Sequence, residues 1–79
     1  MIEALVLIIT KSGCMKYVYR KTKLLRSVKK VEMLTGPHDL MAMIEGEDIN
    51  HLLNTTLTNI RNIDGVDKTT TNIIVSYEK

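Results

Sequence analysis

Four segments of this chain have the composition of β-strands. Residues 2–10 predict a strand whose positions 4–9 are all apolar, and residues 40–44 are likewise apolar at successive positions, which is typical of short strands buried on both faces. Residues 28–35 predict another strand, and the β-branched residues 73–75 predict a last one. Residues 36–39 form a Gly-Pro-His-Asp turn cluster, so the second and third strands are predicted to make a hairpin.

Two further segments carry helical periodicity. Residues 14–25 place apolar side chains at helical spacing with lysines and arginines on the opposite face, which predicts an amphipathic helix. A second helix is predicted to start at Asp48, a good N-cap, and to end before Gly65, where glycine readily adopts a left-handed cap. Its apolar positions are Ile49, Leu52, Leu53, Leu57, Ile60 and Ile63. The chain is predicted to be extended again from Val66.

The predicted order is strand, helix, strand, strand, helix, strand. This order is typical of the α+β ferredoxin-like fold, βαββαβ, in which a four-stranded antiparallel sheet carries two helices on one face. Two helices cover only one side of such a sheet, yet residues 4–9 and 40–44 are apolar on both alternating faces. We therefore expect a second copy of the chain to cover the other side, sheet against sheet.

Positive charge is concentrated in one part of the chain. Eight of the eleven basic residues lie within 11–30, and no acidic residue lies between Lys11 and Lys30, although the net charge is only +2. This pattern is compatible with a face for phosphate backbones or an acidic partner, and also with a solvated surface that balances the acidic remainder. Because Phe and Trp are absent, the stacking residues of an RNA-recognition sheet are missing.

A single cysteine, Cys14, excludes an internal disulfide and offers no zinc or C-x-x-C motif. No apolar run approaches the roughly 20 residues that a membrane-spanning helix needs. Glu3 precedes the apolar run 4–9, where a secretion signal would carry lysine or arginine. We therefore expect a cytoplasmic protein of one domain, residues 1–79, with no cofactor, metal or membrane contact.

Several pieces of the chain together resemble one known family. They are residues 3–8, the pair Val28 and Val31, the hairpin 35–40, and 63–66 running into the three threonines at 69–71. In this combination the chain resembles the effector-binding half of Lrp/AsnC transcription regulators, the RAM domain, over nearly its whole length. The family normally carries an N-terminal helix-turn-helix, whereas here Met1 directly precedes the first RAM-like strand, so the resemblance is to stand-alone RAM proteins without a DNA-binding domain.

This resemblance implies an assembly and a ligand. It implies homodimers that pair face to face through their sheets, assemble into rings, and bind a small amino acid where dimers meet. The implied function is non-catalytic: an effector-binding and oligomerisation module that modulates regulators of amino acid metabolism, with co-assembly with full-length Lrp/AsnC regulators as a further expectation. Direct DNA binding is not expected.

The resemblance also implies the position of the ligand site. Gly36 matches the family's turn glycine, whose missing Cβ lets the backbone approach a ligand, and Asp39 matches the acid that would hold the ligand ammonium. The ligand carboxylate would be received by the threonines at 69–71 from a neighbouring subunit. The complete predicted set is Met33, Thr35, Gly36, Pro37, His38, Asp39, Thr69, Thr70 and Thr71. Met43 is also expected to shape the side-chain pocket.

Plainer interpretations of the same residues stay open. Gly36 is also an ordinary turn residue, Asp39 is also suited to accepting nearby backbone N–H groups, and a run of threonines also suits an edge strand. His38 departs from the aromatic residue that the family tends to place before the acid. It is either an exposed loop residue or a source of pH sensitivity in binding.

An alternative function is a small enzyme on the dimeric α+β barrel, of the monooxygenase or isomerase type. That fold also pairs ferredoxin-like sheets. Such an enzyme needs polar groups inside the barrel, whereas the strand residues available to line one are mostly Leu, Ile, Val, Met and Ala. We therefore expect a protein that is not an enzyme.

Overall fold

Four strands and two helices follow one another as βαββαβ in the computed structural model, which describes residues 1–75. The elements are β1 (Ile2–Thr10), α1 (Met15–Lys23), β2 (Val28–Met33), β3 (Leu40–Gly46), α2 (49–61) and β4 (Val66–Ile73). Helix α2 has three consecutive parts, namely α-helical Ile49–His51, a π-helical turn at Leu52–Thr56, and α-helical Leu57–Arg61. The ferredoxin-like order predicted from the sequence is confirmed.

The strands form one antiparallel sheet in the order β2-β3-β1-β4. The two most apolar strands, β1 and β3, are therefore neighbours at its centre, and the polar strands β2 and β4 are its edges. Leu40 and Thr69 both lie opposite Ile8, one on each side. This register brings the β2–β3 hairpin and the start of β4 to the same end of the sheet.

One face of the sheet is covered by the two helices. Alternate residues of β1 and β3 are fully buried on this face and form a single core with apolar residues of both helices. The core residues are Ala4, Val6, Ile8, Val18, Val31, Leu40, Ala42, Ile44, Leu52, Leu57 and Ile60. Helix α1 contributes Val18 and α2 contributes Leu52, Leu57 and Ile60, each at 0–4% exposure.

The opposite face of the sheet has no covering layer among residues 1–75. Its centre consists of five apolar side chains, each only half-buried: Leu5, Leu7, Ile9, Met41 and Met43. Register pairs Leu5 with Met43 and Leu7 with Met41, so all five share this side of the sheet. We call these five residues the open face.

Polar residues of the edge strands border the open face. On the β2 side, Lys30 and Glu32 lie opposite Met43 and Met41 and form a salt bridge of 3.4 Å. On the β4 side, residues 68, 70 and 72 are Lys, Thr and Asn. An apolar centre within a polar rim is the usual make-up of a protein–protein interface.

Two details differ from the sequence-based expectation. Helix α2 is not a regular α-helix, because the turn at Leu52–Thr56 is π-helical. Its start is as predicted, since Asp48 caps it by accepting a hydrogen bond from the His51 backbone N–H at 2.8 Å. Strand β4 begins at Val66 and ends at Ile73, so residues 74 and 75 follow the strand. The Ile74 N–H still donates to the Glu3 carbonyl at 2.9 Å.

Gly65 packs the start of β4 against the start of α1. Its φ of +100° lies in the region that favours glycine, and a Cβ there would come within 2.7 Å of the Cys14 Cβ. The Lys11 N–H donates to the Gly65 carbonyl at 2.7 Å. The prediction that Gly65 caps the second helix is wrong, because α2 ends at Arg61 with Asn62 as its C-cap. Gly65 lies instead in the following turn, where the Val66 N–H donates to the Ile63 carbonyl at 3.2 Å, and it permits a close approach between two segments. Within residues 1–75, no helix is long and apolar enough to cross a bilayer.

Candidate functional site

The β2–β3 hairpin is held at its base and open at its tip. The Leu34 N–H donates to the Asp39 carbonyl at 2.9 Å, and the Asp39 N–H donates to the Ile8 carbonyl at 2.9 Å. At the tip, Gly36 has a φ of +133°, and nothing lies within 4 Å of where its Cβ would be. The turn glycine therefore serves a backbone conformation, and the space beside it is accessible.

Asp39 joins the hairpin to the end of β1. Its Oδ2 accepts hydrogen bonds from the Thr10 backbone N–H at 2.8 Å and from the Thr10 hydroxyl at 3.3 Å. Among residues 1–75, no side chain or backbone group is hydrogen-bonded to Oδ1. One carboxylate oxygen thus has a local structural role, and the other has no hydrogen-bond partner in this part of the chain.

The remaining predicted hairpin residues differ in exposure. Thr35, Gly36 and Pro37 are exposed, whereas His38 is half-buried and does not project from the loop as an exposed histidine would. Met33 is 46% exposed and lies opposite Leu40, on the helix-covered side of the sheet.

Met43 lies away from the hairpin. It is part of the open face, opposite Leu5 and Lys30, three residues along β3 from Leu40. That separation is about 10 Å along a strand. Met33 and Met43 therefore do not line one pocket within a single chain.

The three threonines of β4 point to two different faces. Thr69 and Thr71 lie opposite Ile8 and Val6 on the helix-covered side, and Thr70 lies opposite Leu7 on the open-face side. The Thr71 hydroxyl is buried and has no hydrogen-bond partner in the described part of the chain. Alternation along the strand therefore prevents the three hydroxyls from meeting one ligand group on one face.

Arg61 was not among the residues singled out from the sequence. Its Nε donates to the Thr69 hydroxyl at 3.2 Å, and it lines a groove of about 310 Å³ together with residues 66–69. Asp67 and Lys68 line the same groove, so it contains one acidic and two basic side chains around Thr69. The only sequence signal for this cluster is the position of Arg61 at the end of the second predicted helix, one short loop before β4.

Within one chain, Asp39 and Thr69 lie at the same end of the sheet but are separated by β1. Two strand spacings amount to about 10 Å. Cys14 is half-buried, and its Sγ lies 3.8 Å from the Ser12 carbonyl. Among residues 1–75, no group of three or more His, Cys, Asp or Glu side chains could hold a metal ion.

The comparison with known proteins points to one family of ligand-binding domains. The family model of the Lrp/AsnC ligand binding domain matches residues 3–79. The chain belongs to this family. The resemblance identified from the hairpin and the last strand is thereby confirmed, and the Lrp/AsnC family is one of ligand-binding domains of transcription regulators. No curated protein sequence gives a significant match.

The solved structures that resemble this Lrp/AsnC domain include chains of about the same length and chains about twice as long. The protein TTHA0845 from Thermus thermophilus is 28% identical, with a TM-score of 0.90 over 100% of this chain and 99% of that one. AsnC from Escherichia coli is 22% identical, with a TM-score of 0.88 over 96% of this chain and 52% of that one.

A third solved structure is a complex of the transcriptional regulator NMB0573 from Neisseria meningitidis with L-Met. It is 17% identical, with a TM-score of 0.77 over 99% of this chain and 52% of that one. At these identities the E. coli and N. meningitidis structures establish a shared fold alone.

Proposed function

We propose that this Lrp/AsnC domain is a cytoplasmic amino-acid sensor that assembles through its open face and binds its effector between dimers. The observation that carries the proposal is the open face itself. Five apolar side chains lie together at the centre of a sheet, half-exposed, within a rim of polar residues. A contiguous apolar patch of this kind is typical of a surface that is buried by a partner.

A second copy of the chain is the partner that fits this face best. In a two-fold dimer each copy presents the same patch, so Leu and Met side chains of one sheet meet those of the other. The two apolar centres would then be buried against each other, and the Lys30–Glu32 pair of each copy would lie at the rim of the interface. Because a chain of 79 residues buries only a modest share of its surface alone, the dimer would also stabilise the fold.

The free oxygen of Asp39 is suited to hold the ammonium group of the effector. A charge-assisted hydrogen bond to a carboxylate is about twice as strong as a neutral one. Both charged groups of an amino acid are attached to one carbon, whereas Asp39 and Thr69 of one chain are about 10 Å apart. We therefore expect a neighbouring subunit to supply the groups that donate hydrogen bonds to the ligand carboxylate.

Several groups on that neighbour could receive the ligand carboxylate. Arg61 donates to the Thr69 hydroxyl, and Lys68 lines the same groove, where the two positive charges outnumber the one negative charge of Asp67. Strand β4 is a sheet edge, so its outer backbone N–H groups are also unpaired within the sheet. The complex of the N. meningitidis regulator with L-Met supports a free amino acid as the ligand class.

A ligand that binds between dimers would act by changing how many dimers assemble together. An effector whose site contains residues of two dimers binds the assembled state more tightly, and it shifts the equilibrium by that difference in affinity. Co-assembly with full-length Lrp/AsnC regulators would transmit the shift to transcription. The regulation of amino acid metabolism is the expected outcome.

The test is a calorimetric titration with each common amino acid, with native mass spectrometry to follow assembly. We expect at least one amino acid to bind saturably and to change the population of assemblies larger than a dimer. Asp39→Asn should weaken that binding by about tenfold or more, because it removes the charge that attracts the ammonium. The Asn carbonyl still accepts the Thr10 N–H, so the fold and the dimer should persist.

Glu47→Gln is the matched control. Glu47 is exposed at the opposite end of the sheet, and its substitution removes the same charge without touching the hairpin. If Asp39→Asn binds the effector as the wild type does, Asp39 does not hold the ammonium. If no amino acid binds and none changes the assembly, the sensor function is wrong.

A further inference from the structure

Helix α1 exposes only basic and aromatic side chains. Val18 and Thr22 are fully buried at 0% exposure, and the opposite side of the helix faces solvent. Helix α1 packs against β2 and β3, so this surface lies on the β2 side of the domain, away from β4. Its exposed cations are Lys16, Arg20, Lys21 and Lys23, which we call the basic face.

No carboxylate in the described part of the chain is paired with the basic face. Both salt bridges found among residues 1–75 belong to lysines 29 and 30 of β2, and neither includes α1. Lys21 and Lys23 each lie over the ring of the tyrosine four positions earlier, 5.5 and 5.4 Å from its centroid. The basic segment thus forms ion pairs with the acidic remainder of the chain through β2, and not through α1.

The charge of this helix opposes its own stability. Lys16 lies in the first turn, where the helix dipole disfavours a cation, and the first turn of α1 contains no acidic residue. Arg20 follows Lys16 by four positions and precedes Lys23 by three, so like charges are neighbours on the helix surface. The dipole favours the cations of the last turn, but it explains neither Lys16 nor this repulsion. A local feature that lowers stability is typical of a functional surface.

The density of positive charge favours duplex DNA as the partner. The basic face places its four cations along about 10 Å of helix. Duplex DNA carries one negative charge per roughly 1.7 Å of its axis, whereas a folded protein partner would need four unpaired carboxylates within the same span. An α-helix also fits the major groove, which is about 12 Å wide.

The side-chain types of this surface predict contact with phosphates and not with bases. Residues 11–30 contain no Asn or Gln, whose amides read adenine, and three of the four cations are lysines, which act on phosphates as point charges. Tyr17 and Tyr19 have lysines over their rings, so they offer no stacking platform for single strands.

We propose that the basic face of α1 binds the phosphate backbone of duplex DNA without sequence preference. This proposal departs from the expectation of no direct DNA binding that the family resemblance implies. The basic face lies on the helix-covered side of the sheet, so pairing of two sheets through the open face would leave it accessible. None of its residues belongs to the candidate amino-acid site, so the two functions can fail independently.

The test is a titration of a short, fluorescently labelled DNA duplex of random sequence with the purified protein, followed by anisotropy at several sodium chloride concentrations. Four phosphate contacts predict a slope of log affinity against log salt of about −3.6 or steeper, which is a loss of about 100-fold or more between about 50 and 200 mM salt. No binding at the lowest salt, or affinity that does not depend on salt, would overturn the proposal.

Arg20→Gln and Lys29→Gln form the matched pair, because each removes one positive charge from an exposed position. Lys29 is paired with Glu45 and lies on β2, outside the basic face. We expect Arg20→Gln to weaken binding by about tenfold at low salt and to make the slope shallower by about one, and Lys29→Gln to stay within about twofold of the wild type. Thermal unfolding of Arg20→Gln should be unchanged or slightly higher, since repulsion is removed. Equal losses in the two variants would mean attraction to net charge alone and would overturn the proposal.

Polyglutamate serves as the probe for an acidic protein partner. At equal salt and equal concentration of charge, we expect the DNA duplex to bind more tightly than polyglutamate. Tighter binding of polyglutamate would assign the basic face to an acidic protein and would overturn the assignment to DNA. Amide-resolved NMR locates the contact: shifts on addition of DNA should centre on residues 15–24, and shifts centred on the hairpin or on β4 would contradict the proposal.

Discussion

The two faces of strand β1 have nearly the same composition but different surroundings. Ala4, Val6 and Ile8 point toward the helices and are 0% exposed. Leu5, Leu7 and Ile9 alternate with them on the open face and are half-buried. Side-chain identity therefore does not distinguish the faces. The covering layer does, since the helices of the chain lie on one side only.

This difference separates folding from assembly. Side chains on the covered face lose contact with water when the chain folds, and burying one such aliphatic side chain fully contributes about 1.5–3 kcal/mol. Side chains on the open face are only half-buried in the single chain, so they contribute the remaining part of this burial free energy only when another surface covers them. Substitutions on the two faces should therefore act through different equilibria, even at neighbouring positions.

The largest effect is expected from Ile8→Ala on the covered face. Deleting most of a fully buried isoleucine removes its packing and leaves a cavity, so the free energy of unfolding should fall by about 2–5 kcal/mol. Urea denaturation followed by circular dichroism measures the loss. The difference from the wild type should be the same at low and high protein concentration, because the substitution acts within one chain. A difference that grows with concentration would assign Ile8 to the interface.

Leu7→Lys should break the assembly while retaining the fold. Burying an unpaired ammonium at an apolar interface costs several kcal/mol, so the dimer dissociation constant should rise by at least about 100-fold. Leu24→Lys is the matched control, because Leu24 lies just after α1, away from the open face, and is already 78% exposed. Sedimentation velocity over a range of concentrations measures both. If the wild type stays monomeric at high concentration, or if the two variants behave alike, the open face is not the dimer interface.

The sequence predicts most of the fold because the spacing of apolar residues indicates the same order of strands and helices that the structure has. Apolar runs at 2–10 and 40–44 become the central strands, and the turn at 36–39 joins β2 to β3. The π-helical turn Leu52–Thr56 could not be predicted, because one wide turn hardly changes the spacing of apolar residues. The extended chain from Val66 is predicted correctly, but the inclusion of Asp67 and Lys68 in β4 does not follow from their low strand propensity, which the pairing of Lys68 with Ile9 overrides.

The sequence predicts which residues belong to the candidate site, but not the contacts that the folded chain makes among its residues. Asp39 lies on the accessible hairpin, yet its contact with Thr10 joins residues 29 apart in sequence, and only the folded sheet brings them together. The same holds for Arg61 and Thr69, which meet because α2 returns the chain to β4. The alternation of the three threonines, by contrast, follows from strand geometry alone once β4 is assigned.

The smallest effects are expected from the threonines of β4. Two of them, at adjacent positions on opposite sides of the sheet, compare the two faces directly. Thr71→Val replaces a buried hydroxyl that has no partner among residues 1–75, so the free energy of unfolding should stay constant or rise by about 0.5–1 kcal/mol. Thr70→Val, on the open-face side, should change it by less than about 0.5 kcal/mol. Thermal unfolding together with sedimentation of both variants measures the two quantities. A loss of more than about 1 kcal/mol in Thr71→Val would show that the hydroxyl is satisfied in the native protein.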